Sequence, residues 1–399
     1  MATENSIPAI RAEENGVVAS LLVLLPAMPP EQLDKTLSNL ADVNATLPGD
    51  GMLVATPDTL PNEAHPSISI TQAPQTNPTW TLTAADFVNV HQLAQKNGAR
   101  AVMILGPEAM SLGPLALRSL AGAVLDGSTD LVVPCYDLPP RAGLVNSAIL
   151  YPLTRALFAT RVRFPLAVDL GFSIRMAERL AIGAQRFTAT NQMDAIVWPV
   201  EEAVVAGFAI QEVNVGNRDL PQPAETDINA ILARVTGSLF ANIDAKAAFW
   251  QRARSLPAPR TPASRAAEGD LSTDIAPMLE SFRFAYTNLR EIWSLVLPPN
   301  SLLGLKRLSI TDSATFRMPD SLWARIVYDF LVAYRLRTIN RGHLLGALIP
   351  LYLAWVASHI NITASGTDAE RHIETVAAAF EADKPYLVSR WRWPDRFNP

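Results

Sequence analysis

The stretch "AVMILGPEAMSLGP", residues 101–114, decides how the rest of the chain is read. Its apolar run, 101–105, predicts a buried strand. The run stops at Gly106-Pro107, and a lone acid, Glu108, follows. In an open α/β sheet, the loop leaving the carboxyl end of a strand is where ligands are handled. Many enzymes place two carboxylates on such a loop to hold a metal and a diphosphate. Here there is one.

Working outward, apolar runs at 17–25 and 51–55 read as further strands, with another at 67–70 and a buried one at 129–137. Between them, Leu33, Leu37, Leu40 and Val43 share one helical stripe. Thr83, with Asp86 three residues on, opens a second helix in the manner of a capping box, and Gly98 closes it. A third helix is predicted over 114–126. This alternation gives an α/β class with a mostly parallel, helix-covered sheet.

After Trp250 the character changes. Residues 256–275 are rich in Pro, Ala and charge and read as a linker. Helices are expected beyond it, over 276–296, 320–338, 341–360 and 367–383. The chain is therefore divided into an α/β domain, 1–255, and a helical C-terminal domain, 276–399. With 399 residues and 49% apolar composition, two cores are within reach.

Composition also excludes classes. The net charge is -5, and no basic run suggests a nucleic-acid groove. The single cysteine, Cys135, rules out an internal disulfide and a Cys-based zinc cage, and fits a reducing, cytoplasmic setting. Residues 1–16 lack signal-peptide character. Residues 344–357 are apolar but short and carry Pro350, which predicts a buried helix and no membrane span. The five histidines show no metal-ligand spacing, and no phosphate loop, Gly-x-Ser-x-Gly or Gly-x-Gly-x-x-Gly is present.

Four acids stand out. Asp58 follows a strand and could meet a base or ribose, although turn chemistry alone explains it. Glu108 could hold a divalent cation that bridges a diphosphate, or could sit as a solvated acid near a helix start. Asp169, in "RFPLAVDLGFS" (163–173), lies in an apolar stretch and is either paired or faces a pocket. Gly171 beside it permits close backbone approach, and Ser173 is free to cap the next helix. Asp194 precedes a helix, where capping is the simplest role.

The segment "DLVVPCYDLPPRAGLVNSAILYPLTRALFATRVRFPLAVDLGFS", 130–173, resembles the glucosylglycerate synthase and mannosylglycerate synthase-like glycosyltransferases. The likeness continues in "ARVTGSLFANIDAKAAFW" (233–250), "LWARIVYDFLVAY" (322–334) and "HLLGALIPLYLAWVAS" (343–358). It implies a GT-A-like (Rossmann-like) domain that transfers a hexose from a nucleotide-sugar to a small polar acceptor such as glycerate. The family's Asp-x-Asp motif falls on Gly106-Pro107-Glu108, so only the second acid is retained. Its Lys-x-His segment falls on "VGNRDLP", 215–221, where Arg218 replaces the lysine and no histidine is present.

The resemblance implies roles residue by residue. Glu108 and Asp219 are the metal candidates, for magnesium or manganese. Arg218 contacts the diphosphate and Asp58 the nucleoside. Tyr136, Asn146 and Arg155 join them on the donor side, and Asp169 and Asp194 are the catalytic acids. A degenerate metal motif also implies an alternative: a catalytically impaired relative that binds a sugar, a nucleotide or an enzyme partner. A homo-oligomer built on the helical domain is a further expectation. The double change Gly106→Asp, Leu220→His is expected to restore metal binding if the backbone keeps the family's geometry.

Overall fold

In the computed structural model the described residues are 19–47, 51–58, 67–75, 80–221, 228–254 and 274–394. The N-terminal sixteen residues, the start of the first predicted strand and nearly all of the predicted linker lie outside them.

The chain opens with β1 (Leu21–Leu24), four apolar residues with no exposed side chain, as a central strand requires. Pro30 then starts α1 (Pro30–Asn44) in the first helical position, where its missing N–H costs nothing. Leu33, Leu37, Leu40 and Val43 are its buried stripe. β2 (Met52–Thr56) and β3 (Ser69–Gln72) follow. The backbone N–H of Thr83 donates to the Asp86 carboxylate at 2.8 Å and fixes the start of α2 (Ala84–Lys96). β4 (Ala101–Ile104), α3 (Pro114–Leu125) and β5 (Leu131–Asp137) complete the elements expected of this region.

The next part departs from the sequence reading. A π-helical turn, Asn146–Leu150, runs into α4 (Tyr151–Phe158). Then β6 (Leu170–Ser173), unforeseen, inserts antiparallel between β4 and β5. Gly171 lies within it, and a Cβ there would stand 3.4 Å from the Cβ atoms of both Val124 and Val132. That is ordinary van der Waals contact, so the space beside Gly171 is already filled by α3 and β5 and no pocket opens there. The Ser173 hydroxyl caps α5 (Ile174–Thr188) by accepting from Met176 N at 3.3 Å. α6 (Pro199–Ala206) and β7 (Ile210–Asn217) end the sheet.

The seven strands run in the order β3-β2-β1-β4-β6-β5-β7. All pair in parallel except β6. The carboxyl ends of six strands and the amino end of β6 therefore meet at one edge.

The remaining helices are α7 (Ile228–Ala245), α8 (Ala247–Trp250), α9 (Ala276–Asn288), α10 (Arg290–Ser294), α11 (Pro299–Ser309), α12 (Asp320–Leu336), α13 (Arg341–Ala364) and α14 (Ala369–Arg392). The predicted helix over 276–296 is broken at Leu289, and α11 was not foreseen. These helices share a second apolar core that holds Trp250, Trp293, Trp323 and Trp355. Residues 148–158 and 232–250 also belong to that core, so a boundary at residue 255 cuts across it. The indole of Trp323 donates to Ala148 O at 2.8 Å and ties the two parts together.

α13 is longer than its apolar stretch suggested. Its 24 residues are enough to cross a membrane by length and composition, and 67% of its most apolar window is buried among the other helices.

Candidate functional site

The loop leaving β4 reaches the strand edge at Gly106. A Cβ on this residue would lie 2.7 Å from Val168 Cβ, so the space left by Val168 admits only glycine here. The Gly106 N–H donates to Asp169 Oδ1 at 3.0 Å. Two residues on, Glu108 adopts the left-handed conformation at φ +63°, which is costly for a residue with a Cβ. Something must hold it there.

That something is Arg218. β7 shifts register against β5 between Cys135 and Tyr136, a bulge that re-aims the end of the strand toward the edge. The Arg218 side chain then enters the loop with no exposed surface. Its Nε donates to Asp169 Oδ2 at 2.9 Å and its Nη2 to Asp169 Oδ1 at 3.1 Å. Nη2 also reaches Pro107 O at 2.7 Å. Nη1 lies 2.6 Å from Glu108 O, 2.7 Å from Asp219 O and 3.1 Å from Ser111 Oγ. Arginine has five N–H donors, and all of them are engaged.

Asp169 is equally saturated. Besides Arg218 and Gly106, it accepts from the Tyr136 hydroxyl at 2.9 Å. Burial, together with the Asp169 charge, pushes the Tyr136 phenol well above its ordinary range, so it remains a donor to that carboxylate. Burial alone would weaken the charge on Arg218. The Asp169 charge and its hydrogen bonds outweigh that penalty and hold the guanidinium above its usual range.

The other acids ring this centre. Asp58, at the end of β2, accepts from the backbone N–H of Met28 at 3.2 Å and so steadies the loop after β1. The Glu108 carboxylate accepts from Gln32 Nε2 on α1 at 3.2 Å. Asp58 and Glu108 therefore stand at the same edge, on either side of the β1 loop. Asp219 is exposed; it gives the site its main-chain carbonyl, and its N–H donates to Ser111 Oγ at 3.2 Å.

Three of the expected positions lie elsewhere. Arg155 is buried in α4 and pairs with Glu374 at 2.5 Å and Glu381 at 2.9 Å, both on α14. It fastens helices and does not line the strand edge. Asn146 Nδ2 donates to Arg163 O at 3.0 Å, which pins the π-helical turn. The Asp194 side chain is 74% exposed and pairs with Arg234 on α7 at 3.1 Å. The next helix begins only at Pro199, so Asp194 neither caps it nor enters the site.

Ser111 and Gln32 escaped the sequence reading. No motif marks them, because their roles depend on the loop conformation at Glu108 and the bulge in β7.

A metal fits this donor set poorly. Both Asp169 oxygens are taken, the Glu108 carboxylate turns to Gln32, and no side chain can be built on Gly106 without displacing Val168. Among the described residues, no group of three or more His, Cys, Asp or Glu is placed to hold a metal ion. The Arg218 donors, expected to meet a diphosphate, are all engaged inside the loop.

No protein-family model matches this chain, and no curated protein does. Among solved structures, it is similar to glucosyl-3-phosphoglycerate synthase from Mycobacterium tuberculosis in complex with manganese and uridine-diphosphate-glucose. That similarity has 18% identity and a TM-score of 0.36, covering 56% of this chain and 78% of the other. The same enzyme in complex with phosphoglyceric acid matches at 16% identity and TM-score 0.34, over 56% and 79% of the two chains. A mycobacterial protein matches at 16% identity and TM-score 0.35, over 64% and 81%. Such a likeness leaves the reading of the site to its own geometry.

Proposed function

We propose that this protein is a glycosyltransferase of the GT-A kind, moving a hexose from a nucleotide-sugar to a small polar acceptor such as glycerate. One observation carries the reading. Asp58, Glu108, Asp169 and Arg218, which come from distant parts of the chain, gather at the carboxyl edge of a mostly parallel sheet, where open α/β sheets bind ligands. In this reading Asp58 and the β1 loop face the nucleoside. Asp169 sets the floor of the site through Gly106 and acts as a positioning residue.

The chemistry sets the pace. Departure of a nucleoside diphosphate develops charge that must be neutralised in the transition state. Arg218 is engaged elsewhere, so transfer is slow. A thermal-shift panel of nucleotide-sugars tests the reading, because a bound ligand stabilises by mass action. A shift with at least one nucleotide-sugar, followed by release of its nucleoside diphosphate when glycerate is added, is the expected result. No shift across the panel would end the proposal.

A second reading is favoured by the mutual neutralisation of Asp169 and Arg218. The chain would then be a non-catalytic relative that binds a sugar, a nucleotide or an enzyme partner. Binding in the same panel with no release of nucleoside diphosphate distinguishes it.

A further inference from the structure

Six oxygens converge on one guanidinium: two from the Asp169 carboxylate, one from the Ser111 hydroxyl, and the main-chain carbonyls of Pro107, Glu108 and Asp219. A cage of carboxylate, carbonyl and hydroxyl oxygens is the donor set that hard divalent cations take. We propose that this cage is a cation site whose resident cation is Arg218 itself, built into the chain in place of a divalent metal. The loop over 105–111 is thereby held in its working shape with no added ion.

Three features support this assignment independently. The charge is closed, because one guanidinium faces one carboxylate and both side chains are fully buried. A second cation beside a buried guanidinium would be repelled. The covalent space is closed too: Gly106 abuts Val168, so the loop has no room for another acid. Finally, the left-handed Glu108 is held through its carbonyl, which accepts from Arg218 at 2.6 Å and from the Ser111 hydroxyl at 2.8 Å. Backbone strain of this kind persists only where the surroundings over-determine it.

The test uses no nucleotide-sugar, so its outcome is separate from that of the transferase reading. The intact chain and Arg218→Ala are unfolded thermally in EDTA and in millimolar manganese. The intact chain is expected to melt at the same temperature in both and to bind no manganese by calorimetry. Arg218→Ala is expected to lose roughly 5–10 °C in EDTA, because a buried carboxylate is left without its partner. Manganese, entering the vacated oxygen cage, is expected to return at least half of that loss. The proposal is overturned if the intact chain binds one manganese and loses it on Glu108→Gln or Asp219→Asn. It is also overturned if Arg218→Ala melts with the parent, or gains nothing from manganese. Should Arg218→Ala fail to fold, Asp169→Asn/Arg218→Met removes both charges and is expected to fold without binding manganese. Manganese binding by that variant, or its failure to fold, counts against the cage.

Discussion

Arg155 and Arg218 are both buried arginines that meet carboxylates, and they do different work. Arg155 on α4 is held by Glu374 and Glu381, both long side chains on α14. It joins two helices through side chains alone, and its partners keep a little contact with water. Arg218 is held by one carboxylate and by carbonyls of the chain itself, with no exposed surface on either side of the pair. It fixes the conformation of a loop at the carboxyl edge of the sheet. The first is a fastener between helices; the second is part of the floor of the candidate site. The difference lies in the acceptors, since main-chain carbonyls can be gathered only by a loop already bent to shape.

Removing the carboxylate from the strand-edge pair should have the largest effect. Asp169→Ala leaves a guanidinium buried without its counter-ion, and denaturant unfolding should show a loss of about 3–5 kcal/mol. Below that comes Gly106→Asp. Its side chain must displace Val168, so the loss should be about 1–3 kcal/mol, as for overpacked cores. Because the new side chain is spent against Val168, calorimetry should show no gain in manganese affinity, with or without Leu220→His. On the helical side, Arg155→Met should cost about 1–3 kcal/mol in the same assay, since Glu374 and Glu381 can turn toward water. A loss equal to that of Asp169→Ala would erase the contrast drawn between the two arginines.

The smallest effect belongs to Glu201 on α6. Its carboxyl accepts from Thr154 at 2.7 Å and is fully buried. Burial pushes it up from 4.5 to about 7. A carboxyl raised in the folded state binds its proton more tightly there than in the unfolded chain. Its stabilising contribution is complete below about pH 4.5 and is lost as pH rises through about 7. Glu201→Gln should therefore flatten the fall in stability between pH 5 and 7 by on the order of 1–2 kcal/mol, and a slope unchanged from the parent would contradict this.

The sequence carried the sheet further than the site. β1, β2, β4 and β5 announce themselves as apolar runs, and the Thr83–Asp86 box marks its helix. β6 does not, because "LGFS" mixes Gly and Ser with its two apolar residues and its pairing partners lie some forty to seventy residues away. The break at Leu289 and the helix α11 were hidden for a related reason: their apolar positions serve a shared core and no long stripe of their own. In the site, Asp169 was visible as an acid in an apolar stretch. The role of Arg218 was not, because four of its six acceptors belong to loops rather than to the carboxylate that sequence could offer. Arg155 and Asn146 sit in segments that resemble a transferase family, and both turn out to hold helices and turns in place.

On the proposal above, this strand edge carries its own cation. The most direct test is the thermal shift produced by the panel of nucleotide-sugars, measured once in EDTA and once in millimolar manganese. The same ligands are expected to bind in the two buffers, with shifts that agree to within about 1 °C, because Arg218 holds the loop in either. A shift that appears only with manganese would show that a metal completes the site and that the guanidinium does not replace it.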